Sequence, residues 1–156
     1  MGLLSGEAEN KFCEETYRVL ALSELLVQVM EQSVDAVADG NIEEIFVASN
    51  EIKKVNEALL ALSKDLGESP IADATGAIHA SGMMFIQGLD SYPEEKMSKN
   101  LMMAGTIMHQ ASVFSLSAGM ELMCGDEELG ELKMKEASIR TEQVSKDVVE
   151  LISNIS

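Results

Sequence analysis

The alternation of apolar and polar positions divides the chain into helical stretches separated by short breaks. From Gly6 to Asp39 there is no intervening proline or glycine, and Cys13, Leu20, Val27 and Val34 recur every seven residues. Phe12, Val19, Leu26, Met30 and Val37 flank that series, so the segment reads as one long helix with a wide apolar stripe. Glu14, Arg18, Gln28, Glu31 and Asp35 fall on the other side and predict a solvated face. Asp39-Gly40-Asn41 breaks the pattern, and Asn41 with Glu44 three residues on supplies a capping-box-like start for a second helix. There Ile45, Ile52, Leu59 and Leu66 form a seven-residue series interleaved with Ala48, Val55 and Leu62. The reversal is short, so the first two helices are expected to be antiparallel neighbours. The seam stops at Gly67, and Ser69-Pro70 reads as the next N-cap and first-turn pair. Pro93, the second of two prolines, is likewise expected at a helix start.

The middle of the chain has a different character. No charged residue occurs from Ala74 to Leu89 or from Asn100 to Met120, with Ser91-Tyr92-Pro93-Glu94-Glu95 as the turn between. Such segments are buried on most sides or lie in a bilayer. The first is too short to span one, and the second is diluted by Asn100, His109, Gln110 and three serines, so a packed central hairpin is expected rather than a membrane protein. Ala104, Ala111 and Ala118 repeat every seven residues beside Ser98, Gly105, Ser112 and Gly119, while Gly76, Gly82 and Gly88 give the third helix a small-residue surface. Interior glycines each cost about 0.5–1 kcal/mol relative to alanine, so close backbone approach must offset them. After Cys124-Gly125-Asp126 charge returns, and Ala137, Val144, Val148, Leu151 and Ile155 mark a last amphipathic helix expected to cover the hairpin. With no period-two alternation and 4% aromatic residues, the fold class is all-α, an antiparallel up-and-down bundle of four to five helices in one domain, residues 1–156.

Charge narrows the choice of partner. Asp and Glu outnumber Lys and Arg 27 to 11, a formal charge of −16, which excludes non-specific nucleic-acid binding and disfavours anionic membranes. Met1-Gly2-Leu3-Leu4-Ser5-Gly6-Glu7 has neither a basic leader nor an apolar stretch, and Gly6 breaks the myristoylation pattern, so a cytoplasmic location is expected. In that compartment Cys13 and Cys124 read as buried free thiols, although an up-and-down bundle brings both to one end.

Candidate chemistry is sparse. His79 and His109 are the only histidines. At 1.5 Å per residue they lie about 18 Å and 24 Å below the turn between their helices, within about one turn of each other. Neither follows a glutamate at ferritin-like spacing, since position 76 is Gly and position 106 is Thr, so no cofactor is expected and both read as core histidines. Met83, Met84, Met97, Met102, Met103, Met108, Met120 and Met123 crowd the hairpin and suggest core filling with loosely specified, adaptable contacts. No phosphate loop, Cys-x-x-Cys or nucleophile elbow occurs, and paired glutamates at 43–44, 94–95 and 127–128 sit where helix starts favour them. The expectation is a non-enzymatic protein that acts through protein contacts as an adaptor, regulator or assembly component. A second copy or another protein is the expected partner, and Ala104, Gly105, Met108, Ala111, Ser112, Ala118 and Gly119 the candidate interaction surface. The alternatives are a metal- or cofactor-binding bundle built on His79, His109 and the core methionines, and an export chaperone.

The first hairpin also carries a resemblance. The reversal Asp39-Gly40-Asn41-Ile42-Glu43 and the run Ser49-Asn50-Glu51-Ile52-Lys53-Lys54-Val55-Asn56-Glu57 are similar to the opening hairpin of PhoU-like proteins, regulators associated with phosphate uptake and related transport. The likeness covers residues 1–66 and implies a helical bundle with a regulatory role. The family's Glu-x-x-x-Asp pair, which helps bind metal clusters, falls here on Asn56 and Leu60. A second carboxylate motif falls near Asp90 and Glu94, with Pro93 between them.

Overall fold

The computed structural model describes the backbone of residues 6–155 and the side chains of residues 11–155. The residues on which the reading of the N-terminus mostly rests, Met1 to Ser5, lie outside the described residues. Among those described there are five helices and no strand: α1 Gly6–Ala38, α2 Ile42–Asp65, α3 Pro70–Asp90, α4 Glu95–Cys124 and α5 Glu127–Ser153.

The breaks follow the local chemistry of the sequence. Asn41 caps α2 by accepting from the Glu44 amide at 3.2 Å, Ser69 caps α3 by accepting from the Ala72 amide at 3.0 Å, and Asp126 caps α5 by accepting from the Leu129 amide at 3.2 Å. Gly40 and Gly67 close α1 and α2 with φ of +66° and +65°, the left-handed conformation that glycine adopts without steric cost. Pro93 departs from expectation. It lies inside the turn after a cis Tyr92–Pro93 peptide, and α4 starts only at Glu95.

Helices α1 to α4 close on themselves. Each neighbouring pair packs together, α1 returns to α4, and α1 also touches α3 across the middle. Val19, Leu26, Ile52, Leu59, Ile71, Ile78, Phe85, Leu89 and Leu116 form the centre of the core, with Phe85 the largest side chain fully removed from water. Both predicted series of α2 point inward, with Leu62 at their edge. In α1 the true centre is shifted by about one position. Thr16, Val19, Ser23, Leu26, Met30 and Ser33 are buried, Leu20 and Val27 lie at the margin, and Val34 is 49% exposed. The small hydroxyl residues can enter the core because each returns its proton to a carbonyl of its own helix. Thr16 donates to Phe12, Ser23 to Leu20 and Ser33 to Met30, at 2.7–2.9 Å.

Helix α5 does not cover the central hairpin as expected. Among the described residues it packs on α4 alone, and no Cα of α5 comes within 8 Å of one in α3. Its buried residues are Gly130 and Ala137. Gly130 lies directly on the Leu122 backbone, so the two helices approach closely just beyond the Gly125 turn. Further along, Arg140 stacks over the Phe114 ring at 4.2 Å and Asn100 donates to the Leu151 carbonyl at 3.0 Å.

Cys13 and Cys124 are not free thiols. They form a disulfide, with Cα atoms 6.0 Å apart, because antiparallel packing puts the start of α1 beside the end of α4.

Candidate functional site

The two histidines occupy different environments. His109 is buried, and its Nε2 lies 3.0 Å from the Ser23 carbonyl, to which it donates from the neutral ring. Burial holds its pKa below the ordinary value, and the hydrogen bond to Ser23 offsets part of that shift. His109 thus ties α4 to α1. His79 is half-buried and lies on the stripe of α3 that carries Thr75 and Gly82. Gly82 packs on Asn56, which places that stripe against α2. No group of three or more His, Cys, Asp or Glu side chains among the described residues is placed to hold a metal ion.

Asn56, one of the two positions where the PhoU-like motif has a carboxylate, is 2% exposed and faces Gly82. Neither its amide nitrogen nor its carbonyl oxygen has a hydrogen-bond partner among the described residues. Leu60, the other position, is exposed on α2.

The small residues proposed as an interaction surface are largely spent inside the chain. Ala104, Gly105, Ala111, Ser112, Ala118 and Gly119 are all buried, and of the seven only Met108 is half-buried. A Cβ on Gly105 would lie 2.8 Å from both the Phe85 amide nitrogen and the Ser81 carbonyl oxygen, and one on Gly88 would meet the Met102 amide nitrogen at the same distance. Gly119 faces Ile71 in the same interface. Helices α3 and α4 therefore run close enough together that glycine is required at both Gly88 and Gly105. The methionines are less central than core filling implies. Of those in the hairpin only Met102 is buried, while Met83, Met97 and Met103 are exposed and the others half-buried.

What remains open is one side of the hairpin. Because α5 leans on α4 and stops short of α3, a groove runs between α3 and α5 with α4 as its floor. Two cavities follow one another along it. The first, about 710 Å³, is lined by Ala74, Ala77 and Ala80 of α3, by Met108, Ala111, Ser112 and Ser115 of α4, and by Met134, Ala137, Val144 and Val148 of α5. The second, about 550 Å³, continues past Gln87, Met97, Leu101 and Ile152. Ala77, Ala80, Met83 and Gln87 mark a face of α3 that the described residues leave exposed. Met108, Ala111 and Ser112 from the sequence-predicted surface lie in the groove. Ala77, Ala80, Val144 and Val148 were missed as site residues. Their signal was the lack of charge on α3 combined with an apolar stripe on α5 that needs something to face.

A third cavity of about 820 Å³ lies at the far end of α1 and α4, among Val34, Val37, Tyr92, Met103 and Ile107, with Asp39, Glu95 and Lys99 at its edges. It has mixed charge and ends at the turn between α1 and α2, whereas the α3–α5 groove follows a whole helix.

No family model, no curated protein and no solved structure matches this chain. Among the described residues no helix is long and apolar enough to cross a membrane.

Proposed function

We propose that the protein is a non-enzymatic helical-bundle adaptor or regulator that acts by holding a segment of a protein partner in the groove between α3 and α5. The carrying observation is the exposed, uncharged face of α3. A helix without a charged side chain from Ala74 to Leu89 is suited to burial, yet its Ala77, Ala80 and Met83 side is left uncovered. Contiguous apolar surface of this kind marks sites of association. The small side chains around it let a partner backbone approach closely, while Met108 and Met134 adapt their shape to it. A regulatory role of the PhoU-like kind is one form of this reading.

A photo-crosslinking side chain placed at Ala77 and, as control, at Glu57 on the exposed face of α2 tests the proposal in the native host. Ala77 is expected to give one defined adduct at high yield and Glu57 none. Equal labelling from both positions, or none from Ala77, would refute a docking function for this groove.

A further inference from the structure

We infer that the occupant of the α3–α5 groove is an amphipathic helix with cationic flanks, supplied by another protein rather than by a second copy of this chain. The inference rests on the docking reading above and adds the chemical class of the partner.

Length comes first. The groove follows α3 from Pro70 to Ser91, about 30 Å at 1.5 Å per residue, which matches five to six turns of helix. Its walls are two parallel helices, α3 and α5, over an antiparallel floor, α4. A further helix laid between them completes a second four-helix arrangement sharing α3 and α4 with the first. Alanine and serine dominate the lining, so the guest can sit low, with a narrow apolar stripe facing Ala111 and Met108.

Charge then selects the guest. The charged residues lining the two cavities are Asp73, Asp90 and Glu142, and among the described residues no Lys or Arg lines either one. Lys146 reaches Glu142 only across a largely exposed pair at 4.0 Å, and Asp90 accepts from Ser49 at 3.2 Å, so the rim keeps its negative character. The whole chain carries −16. A second copy would bring another −16 and a matching set of three carboxylates to the same contact, whereas a helix with Lys or Arg beside its apolar stripe meets complementary charge on both walls.

The test uses the intact, oxidised protein and two synthetic helical peptides of about 18 residues, long enough for most of the groove. Both share one Leu/Ala stripe; one carries Lys on its flanks and the other Glu. Fluorescence anisotropy is expected to show the Lys peptide binding at least about ten-fold more tightly than the Glu peptide. That binding should weaken with salt and fall by a similar factor in the groove-filling variant Ala77→Trp and in the rim variant Asp73→Lys/Glu142→Lys. Ala77 is exposed, so its replacement is compatible with folding, and circular dichroism checks this. Equal binding of both peptides, lost in Ala77→Trp, would keep the docking groove and overturn the cationic class. A concentration-dependent doubling of mass in light scattering that Ala77→Trp abolishes would overturn the heterologous partner in favour of self-association. Lys-peptide binding indifferent to Ala77→Trp would be charge attraction to the surface at large and would overturn the groove assignment itself.

Discussion

Replacing two helical glycines by alanine should move stability in opposite directions. Gly76 and Gly105 both lie within helices, so alanine at either gains about 0.5–1 kcal/mol of backbone preference. At Gly76 nothing lies within 4 Å of the new methyl, and the gain should appear in full. At Gly105 the methyl would stand 2.8 Å from the Phe85 nitrogen and the Ser81 oxygen and 2.9 Å from the Phe85 Cβ. Backbone atoms cannot rotate aside, so α3 and α4 must separate, and overpacking of this kind costs about 1–3 kcal/mol. The net expectation for Gly105→Ala runs from near zero to a loss of about 2.5 kcal/mol, and because the backbone gain is common to both variants they should stand about 1–3 kcal/mol apart. At about 2–4 °C per kcal/mol for a chain of this size, their melting temperatures should differ by about 2–12 °C. Urea and thermal unfolding followed by circular dichroism, with the disulfide kept oxidised, give both numbers. A Gly105→Ala protein as stable as Gly76→Ala would refute the close α3–α4 approach and the role assigned to the small residues.

Asn56→Ala should be nearly neutral or stabilising, because it removes a buried amide whose unmet hydrogen bonds cost about 1–3 kcal/mol, while Leu59→Ala one turn away should cost about 2–5 kcal/mol. Urea midpoints compare the two. Stability should decline as pH falls below 6.5, the ordinary histidine value, because the unfolded chain takes up a proton that buried His109 resists. The decline should level off below the native pKa, and His109→Gln should lack this component when midpoints are measured from pH 7.5 to 5.5; an unchanged slope would contradict it. Reducing Cys13–Cys124, which spans a sequence separation of 111, should cost about 4–5 kcal/mol on loop-closure grounds and be visible as a lower urea midpoint in dithiothreitol. With −16 net charge, the melting temperature should rise as salt shortens the screening length toward about 8 Å, and a steady fall would count against self-repulsion.

Much of the fold was legible in the residues themselves. Asn41 and Ser69 cap helices by reaching amides three residues ahead, an interaction that depends on local chain geometry alone. The seven-residue series of α2 likewise fixed its inward face. The stripe of α1 was displaced because hydrophobicity assigns Thr16, Ser23 and Ser33 to the surface, whereas their hydroxyls bond to their own helix and their small volume fits the core. Of the groove lining, Met108, Ala111 and Ser112 were singled out by the seven-residue spacing of small residues and the crowding of methionines. Their partners across the groove were not, since the exposure of Ala77 depends on where a helix more than 50 residues later comes to rest.

The chain alone therefore determined an antiparallel bundle of four to five helices, most of their ends apart from the start of α4, and the need for close contact along the glycine-bearing faces, because each is set by interactions within a few residues or by one helical period. The tertiary structure decided the pairing of Cys13 with Cys124, the tie from His109 to Ser23, and the resting place of α5 on α4 rather than over α3. Those outcomes depend on the rotation and offset of whole helices. Such quantities arise from many small packing terms summed across the bundle, and no local pattern of residues encodes them singly.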